Sequence, residues 1–160
     1  MTFDAAEKHQ SQVPALQLLV ALGFKPLSQE EALRLRGGRL RNVVLDDVLT
    51  EQLMRINRFT HRGREYSFDL EDAHEAMRRL KPTPDRLKGL RGTNQDIYDT
   101  LVLGTTITKS IDGDSKSYSF RYIDWERPEN NVFHVTAEFS VERTASSQTK
   151  RCDIVAFVNG

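Results

Sequence analysis

No stretch of the 160-residue chain holds the roughly 20 apolar residues that a membrane-spanning helix needs. The opening Met1-Thr2-Phe3-Asp4 also lacks the basic and then apolar layout of a secretory signal. Both absences point to a cytoplasmic protein. Cysteine is nearly missing: Cys152 stands alone, which rules out an internal disulfide and any Cys/His zinc spacing. Neither sign of charge is in excess, with 23 Lys+Arg against 23 Asp+Glu. The balance holds locally too, at 12 against 12 in residues 1–80 and 11 against 11 in 81–160. Proteins that bind DNA by counterion release alone usually carry a basic excess, so any nucleic-acid contact here must come from local patches or from a larger assembly. There is no repeat, no low-complexity segment and no Gly-x-x-x-x-Gly-Lys-Ser/Thr run, so these residues are not expected to bind ATP. His9, His61, His74 and His134 share no metal spacing.

What is present is globular in composition, with 38% hydrophobic and 29% charged residues. At this length folding buries roughly 68–70% of the surface the unfolded chain exposes, enough for a core without disulfide or metal staples. One domain over residues 1–160 is the expectation, helical in 1–103 and sheet-forming in 104–160.

A first helix runs from Phe3 to Leu22, stopped by Gly23, with Pro14 as a kink or a second start. Ser28 and Glu31 form a capping box for a helix through Leu35. Leu45, Val48, Leu49, Leu53 and Ile56 recur at helical spacing behind the acidic start Asp46-Asp47. Asp69 to Leu80 is a fourth helix, broken by Pro82 and Pro84, and Thr93 caps a fifth that ends at Gly104. The period then changes to alternation. Thr105–Ile111 and Ser117–Ile123 flank the hairpin signal Asp112-Gly113. Val132–Val141 reads as a strand with Phe133, Val135, Ala137, Phe139 and Val141 on one buried face. The continuous apolar run Ile154–Val158 has the look of a central strand covered on both faces. Asn159-Gly160 is a hairpin signal with no return strand after it, which suggests that the sequence is cut there.

Asp153 stands at the mouth of the most apolar strand, directly after Lys150-Arg151, where a carboxylate faces a desolvation cost and needs a cation. That cation is either a neighbouring Arg151 or Lys150, or magnesium, which takes hard oxygen ligands. Arg34, Arg36, Arg39 and Arg41 surround Gly37-Gly38, and Arg55, Arg58, Arg62 and Arg64 form a second basic group. Either is a candidate for phosphate contact or a solvated face.

The run Tyr122-Ile123-Asp124-Trp125-Glu126-Arg127-Pro128-Glu129-Asn130-Asn131-Val132-Phe133, then Phe139-Ser140-Val141 and Arg151-Cys152-Asp153-Ile154-Val155-Ala156-Phe157-Val158-Asn159-Gly160, resembles the N-terminal nuclease region of the R subunit of type I restriction enzymes. Earlier pieces fit as well: Glu7, Leu22-Gly23-Phe24, Arg55-Ile56-Asn57, and Asn94 with Tyr98, Leu101 and Gly104. The resemblance implies a restriction-endonuclease-like α/β fold of the PD-(D/E)xK kind, a mixed sheet flanked by helices. Helices would lie mainly N-terminal and strands C-terminal, with the last core strands beyond the end of this sequence. Asp153 matches the first Asp of that motif, with Cys152 where the family usually has Pro, and Glu7 is a candidate second metal ligand. The acidic-x-Lys element would lie on the strand following Gly160, so residues 1–160 alone are expected to be inactive. The implied activity of the intact subunit is magnesium-dependent cleavage of double-stranded DNA, with ATP used by motor domains downstream. The implied partners are the modification and specificity subunits. Arg34, Arg36, Arg39 and Arg41 are the candidate DNA contacts. A non-catalytic DNA-binding or subunit-assembly module is the alternative, and an unrelated α/β domain with an ion-paired Asp153 a third. An apolar edge at Ile154–Val158 also invites self-association.

Overall fold

The computed structural model describes residues 11–81, 89–143 and 147–160. Glu7, the helix start expected at Phe3 and the break expected at Pro82 and Pro84 lie outside them. In chain order the elements are α1 (Val13–Ala21), β1 (Lys25–Leu27), α2 (Gln29–Leu35), α3 (Asp46–Ile56), β2 (Arg58–His61), β3 (Arg64–Ser67), α4 (Leu70–Leu80), α5 (Gly89–Leu103), β4 (Thr105–Ile111), β5 (Asp114–Phe120), β6 (Phe133–Glu142) and β7 (Thr149–Val158). Helices dominate the first part and strands the last, as the periodicity predicts, but three short strands fall inside the stretch read as helical. The chain forms two compact units, the first from Met1–Val48 and Val132–Gly160, the second from Leu49–Asn131.

The first unit holds a mixed three-stranded sheet in the order β1-β6-β7, with β1 parallel and β7 antiparallel to β6. α2 is closed by the predicted capping box: the Ser28 hydroxyl accepts from the Glu31 N–H, and the Glu31 carboxylate accepts from the Ser28 N–H at 2.9 Å. Ala32, Leu45, Phe139 and Phe157 form its core, with Leu35, Val141 and Val155 packed against them. Pro14 occupies the first turn of α1, and the residues just before it, Ser11 and Gln12, are helical with the wider π spacing, so the helical pattern changes at the proline.

Two expectations about this sheet are corrected. The even alternation predicted along β6 fails near its start, where His134, Val135 and Thr136 are all buried. Register puts Ala137 opposite Ile154 and Phe139 opposite Cys152, and Glu138 between them adopts a left-handed φ of 59°. Alternation slips there, so Phe139 and Val141 join Val155 and Phe157, which themselves face Thr136 and His134 across the ladder. β7, for its part, is an edge strand with Ala156 and Val158 exposed, not one covered on both faces.

Among the described residues the second unit contains two hairpins, most of α3, and the helices α4 and α5. Asp112 and Gly113 have φ of 51° and 79°, the doubly positive turn that an Asp-Gly hairpin requires. Arg62-Gly63 turns β2 into β3 in the same way, at 48° and 78°. Phe59 lies 4.8 Å from Phe68 and 4.4 Å from Tyr118, and Phe68 meets Phe120 edge-on at 4.9 Å, building an aromatic core. Tyr122 is buried with its hydroxyl donating to the Ala76 carbonyl at 2.8 Å, and burial pushes its pKa up to about 12. Thr93 does not cap α5 as expected: the helix begins at Gly89, and the Thr93 hydroxyl bonds back to the Gly89 carbonyl within it.

Candidate functional site

Asp153 lies in the middle of β7, on the sheet edge, and its side chain is exposed. The desolvation cost expected from the apolar run is therefore absent. Among the described residues no guanidinium pairs with it either. Arg151, the neighbour expected to neutralise it, forms an ion pair with Glu138 instead, its Nε 2.6 Å from Oε2. Glu138 sits on β6 directly across the ladder from Asp153, between the paired positions Ala137–Ile154 and Phe139–Cys152. Gln12, just before α1, donates its amide to the Asp153 main-chain carbonyl at 2.7 Å and to Glu138 Oε1 at 3.4 Å. The edge strand is thus pinned from both sides while the Asp153 carboxylate stays open to solvent.

Glu138 also holds its backbone in the left-handed region, at φ 59°. A non-glycine residue in the left-handed region costs about 1–2 kcal/mol. Such strain concentrates at functional sites. Neither Glu138 nor Gln12 was legible as a site residue, because both come to Asp153 through strand register and helix placement, 126 and more residues apart in the case of Gln12.

The basic residues around Gly37-Gly38 separate into two pairs. Arg36 is buried at 3% exposure, donates from Nη1 to the Ser140 carbonyl at 2.8 Å, and lies over the Phe139 ring at 4.3 Å. Burial lowers its pKa. Its charge serves the core of the first unit. Arg41 pairs with Glu142 at 3.0 Å, and that bond raises its pKa. Arg34 and Arg39 are exposed. Among the described residues no group of three or more His, Cys, Asp or Glu side chains is arranged to hold a metal ion. Glu7 lies outside the described residues.

Asp124, in the loop of the second unit, meets the opposite fate from Asp153. It is 1% exposed, accepting from Arg121 Nη1, the Arg127 N–H and Asn130 Nδ2 at 3.1, 3.1 and 2.8 Å. The Asn130 amide, then the Arg127 N–H and the Arg121 charge, hold its pKa below the usual carboxylate range against the opposing effect of burial. Asn131 grips the Asp124 backbone on both its N–H and its carbonyl. Asp124 is a loop staple, occupied on all sides.

A helix-flanked mixed sheet with an open carboxylate on its edge strand defines an α/β protein with a polar, solvent-facing site. Residues 4–160 match the family described as Type I restriction enzyme R protein N terminus, and the chain belongs to that family. Membership gives it a role in the restriction enzyme complex. No curated protein and no solved structure matches it. Among the described residues no helix is long and apolar enough to cross a membrane.

Proposed function

We propose that the chain is the N-terminal part of the endonuclease domain of a type I restriction enzyme R subunit, and that Asp153 is a ligand of its magnesium ion. The observation that carries this reading is the open carboxylate of Asp153 on the sheet edge, with Arg151 held by Glu138. Magnesium takes oxygen ligands, keeps several waters, and is held by one or two carboxylates plus substrate phosphates, so a solvent-open aspartate suits it. Glu7 is the second candidate ligand, and the fold would be of the PD-(D/E)xK kind.

When bound, magnesium would activate water and offset charge on a phosphodiester. The chain's own contribution is positional. Glu138 keeps a competing guanidinium off Asp153, and Gln12 fixes the strand backbone that carries it. Arg34 and Arg39 are the candidates for contact with duplex phosphates. In the intact subunit, cleavage of double-stranded DNA would follow ATP-driven translocation by motor domains outside these residues, with modification and specificity subunits as partners.

The test is Asp153→Ala in a full R subunit carrying this region. Replacing an exposed side chain is expected to change stability by no more than about 0.5 kcal/mol, so lost cleavage cannot be ascribed to unfolding. Cleavage should vanish while ATP hydrolysis and translocation persist. Retained cleavage would overturn the proposal and leave the DNA-binding or assembly module.

A further inference from the structure

The second unit has a cleft of about 740 Å³ that plays no part in the proposal above. Arg55, Arg58, Arg121, Arg127, Trp125 and Glu126 are among the residues lining it. Its four arginines are not equivalent. Arg121 pairs with Asp124 at 3.1 Å and with Glu126 at 3.6 Å, and Arg127 approaches Asp124 at 3.9 Å, so their charge is compensated. Arg55 and Arg58 are held by neutral acceptors. Arg55 donates to the side-chain carbonyl of the buried Gln52 at 2.7 and 3.2 Å and to the main-chain carbonyl of Asn130. Arg58 donates from Nη1 to the carbonyls of Met54 and Asn57 at 3.1 and 3.3 Å. Both guanidinia are thus oriented with their charge intact, the arrangement that suits a phosphate or other anion.

Trp125 supplies the second feature. The residue is 59% exposed, although its neighbour Asp124 is locked in place by five hydrogen bonds shared with Arg121, Arg127, Asn130 and Asn131. A large aromatic ring left in water on a pinned loop is a ready stacking surface. A ligand that satisfies both features carries an anionic group and a flat ring together. An acidic peptide has no obligatory ring, and the bases of an intact duplex are stacked on one another and closed to an indole.

We propose that this cleft binds single-stranded nucleic acid, with phosphates on Arg55 and Arg58 and a base stacked on Trp125. The proposal rests on residues of the second unit alone and is independent of Asp153.

Trp125 is the chain's only tryptophan, so its fluorescence reports the site directly. The chain is titrated with a thymidine decamer, with the same length of closed DNA hairpin duplex, and with polyglutamate, all in chelator so that divalent cations play no part. Saturable quenching by the single strand, and not by duplex or polyglutamate, is expected. With two phosphates engaged, log K should fall against log salt with a slope of about −1.4. Arg55→Ala and Arg58→Ala should each bring that slope to about −0.7. Arg58→Lys, which keeps the charge, should retain the parent slope and guards against loss of fold in the alanine variant. Absent quenching, equal response to polyglutamate, tighter binding of the duplex, or a slope unchanged in both alanine variants overturns the proposal. Since no cleavage or magnesium enters the readout, that failure would leave the Asp153 proposal standing, and the reverse also holds.

Discussion

Asp124 offers the sharpest test of how the second unit is held together. Its carboxylate accepts two hydrogen bonds from neutral donors, the Arg127 N–H and Asn130 Nδ2, and takes part in ion pairs with the half-exposed Arg121 and exposed Arg127 guanidinia. Hydrogen bonds to a charged group contribute about 1.5–3 kcal/mol each, and ion pairs with exposed partners about 0–1 kcal/mol. Asp124→Ala should therefore cost about 4 kcal/mol, a large share of a total stability on the order of 5–15 kcal/mol. Asp124→Asn keeps one acceptor oxygen but turns an amide toward donors, and should cost about 2 kcal/mol. Urea denaturation followed by far-ultraviolet circular dichroism and by Trp125 emission measures both. Because the folded-state pKa of Asp124 is depressed, its contribution is present above the unfolded value of about 3.9 and is lost as pH falls through the folded pKa. The gap between parent and Asp124→Asn should be constant from pH 5 to about 8 and shrink below about pH 4. A cost under about 1 kcal/mol for Asp124→Ala, or a gap that ignores pH, would refute the staple.

Gly104 has φ of 77°, and a Cβ there would stand 2.6 Å from the Phe120 carbonyl oxygen, whereas Gly63, at φ 78°, has open space. Gly104→Ala should cost at least about 2 kcal/mol more than Gly63→Ala by the same denaturation assay, since only the former adds a backbone clash to the shared left-handed penalty of about 1–2 kcal/mol. Among the described residues no strand pairs with the outer edge of β7, where Val158 is 39% exposed. Sedimentation should show concentration-dependent dimerisation that Val158→Lys suppresses, and a parent chain that stays monomeric at millimolar concentration would contradict it. Glu138→Gln should free Arg151 to pair with Asp153 and weaken manganese binding, read by paramagnetic broadening of the β7 resonances; unchanged broadening would deny Glu138 its positioning role.

Local chemistry made much of the fold legible. The Ser28–Glu31 box and the Asp112-Gly113 turn were readable because their partners lie within a few residues. β1 was not, because its three residues become a strand only through parallel pairing with His134, Val135 and Thr136. The β2–β3 hairpin hid behind Arg62-Gly63, a turn that lacks the Asn or Asp signal even though both residues take positive φ. The arginines around Gly37-Gly38 looked alike in sequence. Arg36 differs from Arg34 only because Phe139 and the Ser140 carbonyl, more than 100 residues away, close over it. The candidate site shows the same limit: Asp153 could be singled out from its surroundings in the chain, while its contacts through Glu138 and Gln12 arise from register.

Asp124 and Asp153 show why a balance of charges says so little about sites. Each has an arginine two or three residues before it, and either could have formed the same local ion pair. Arg121 reaches Asp124 because nothing else claims it strongly: Glu126 stands farther off, at 3.6 Å against 3.1 Å. Arg151 is claimed across the strands by Glu138, at 2.6 Å. One aspartate is thereby spent on holding a loop, and the other, exposed at a sheet edge, is not claimed by its neighbouring arginine. The same sorting separates Arg36, absorbed into a core, from Arg55 and Arg58, braced by neutral carbonyls. What distinguishes the groups available for a ligand is the chemistry of the neighbour that orients them, since a neutral partner fixes a side chain without consuming its charge.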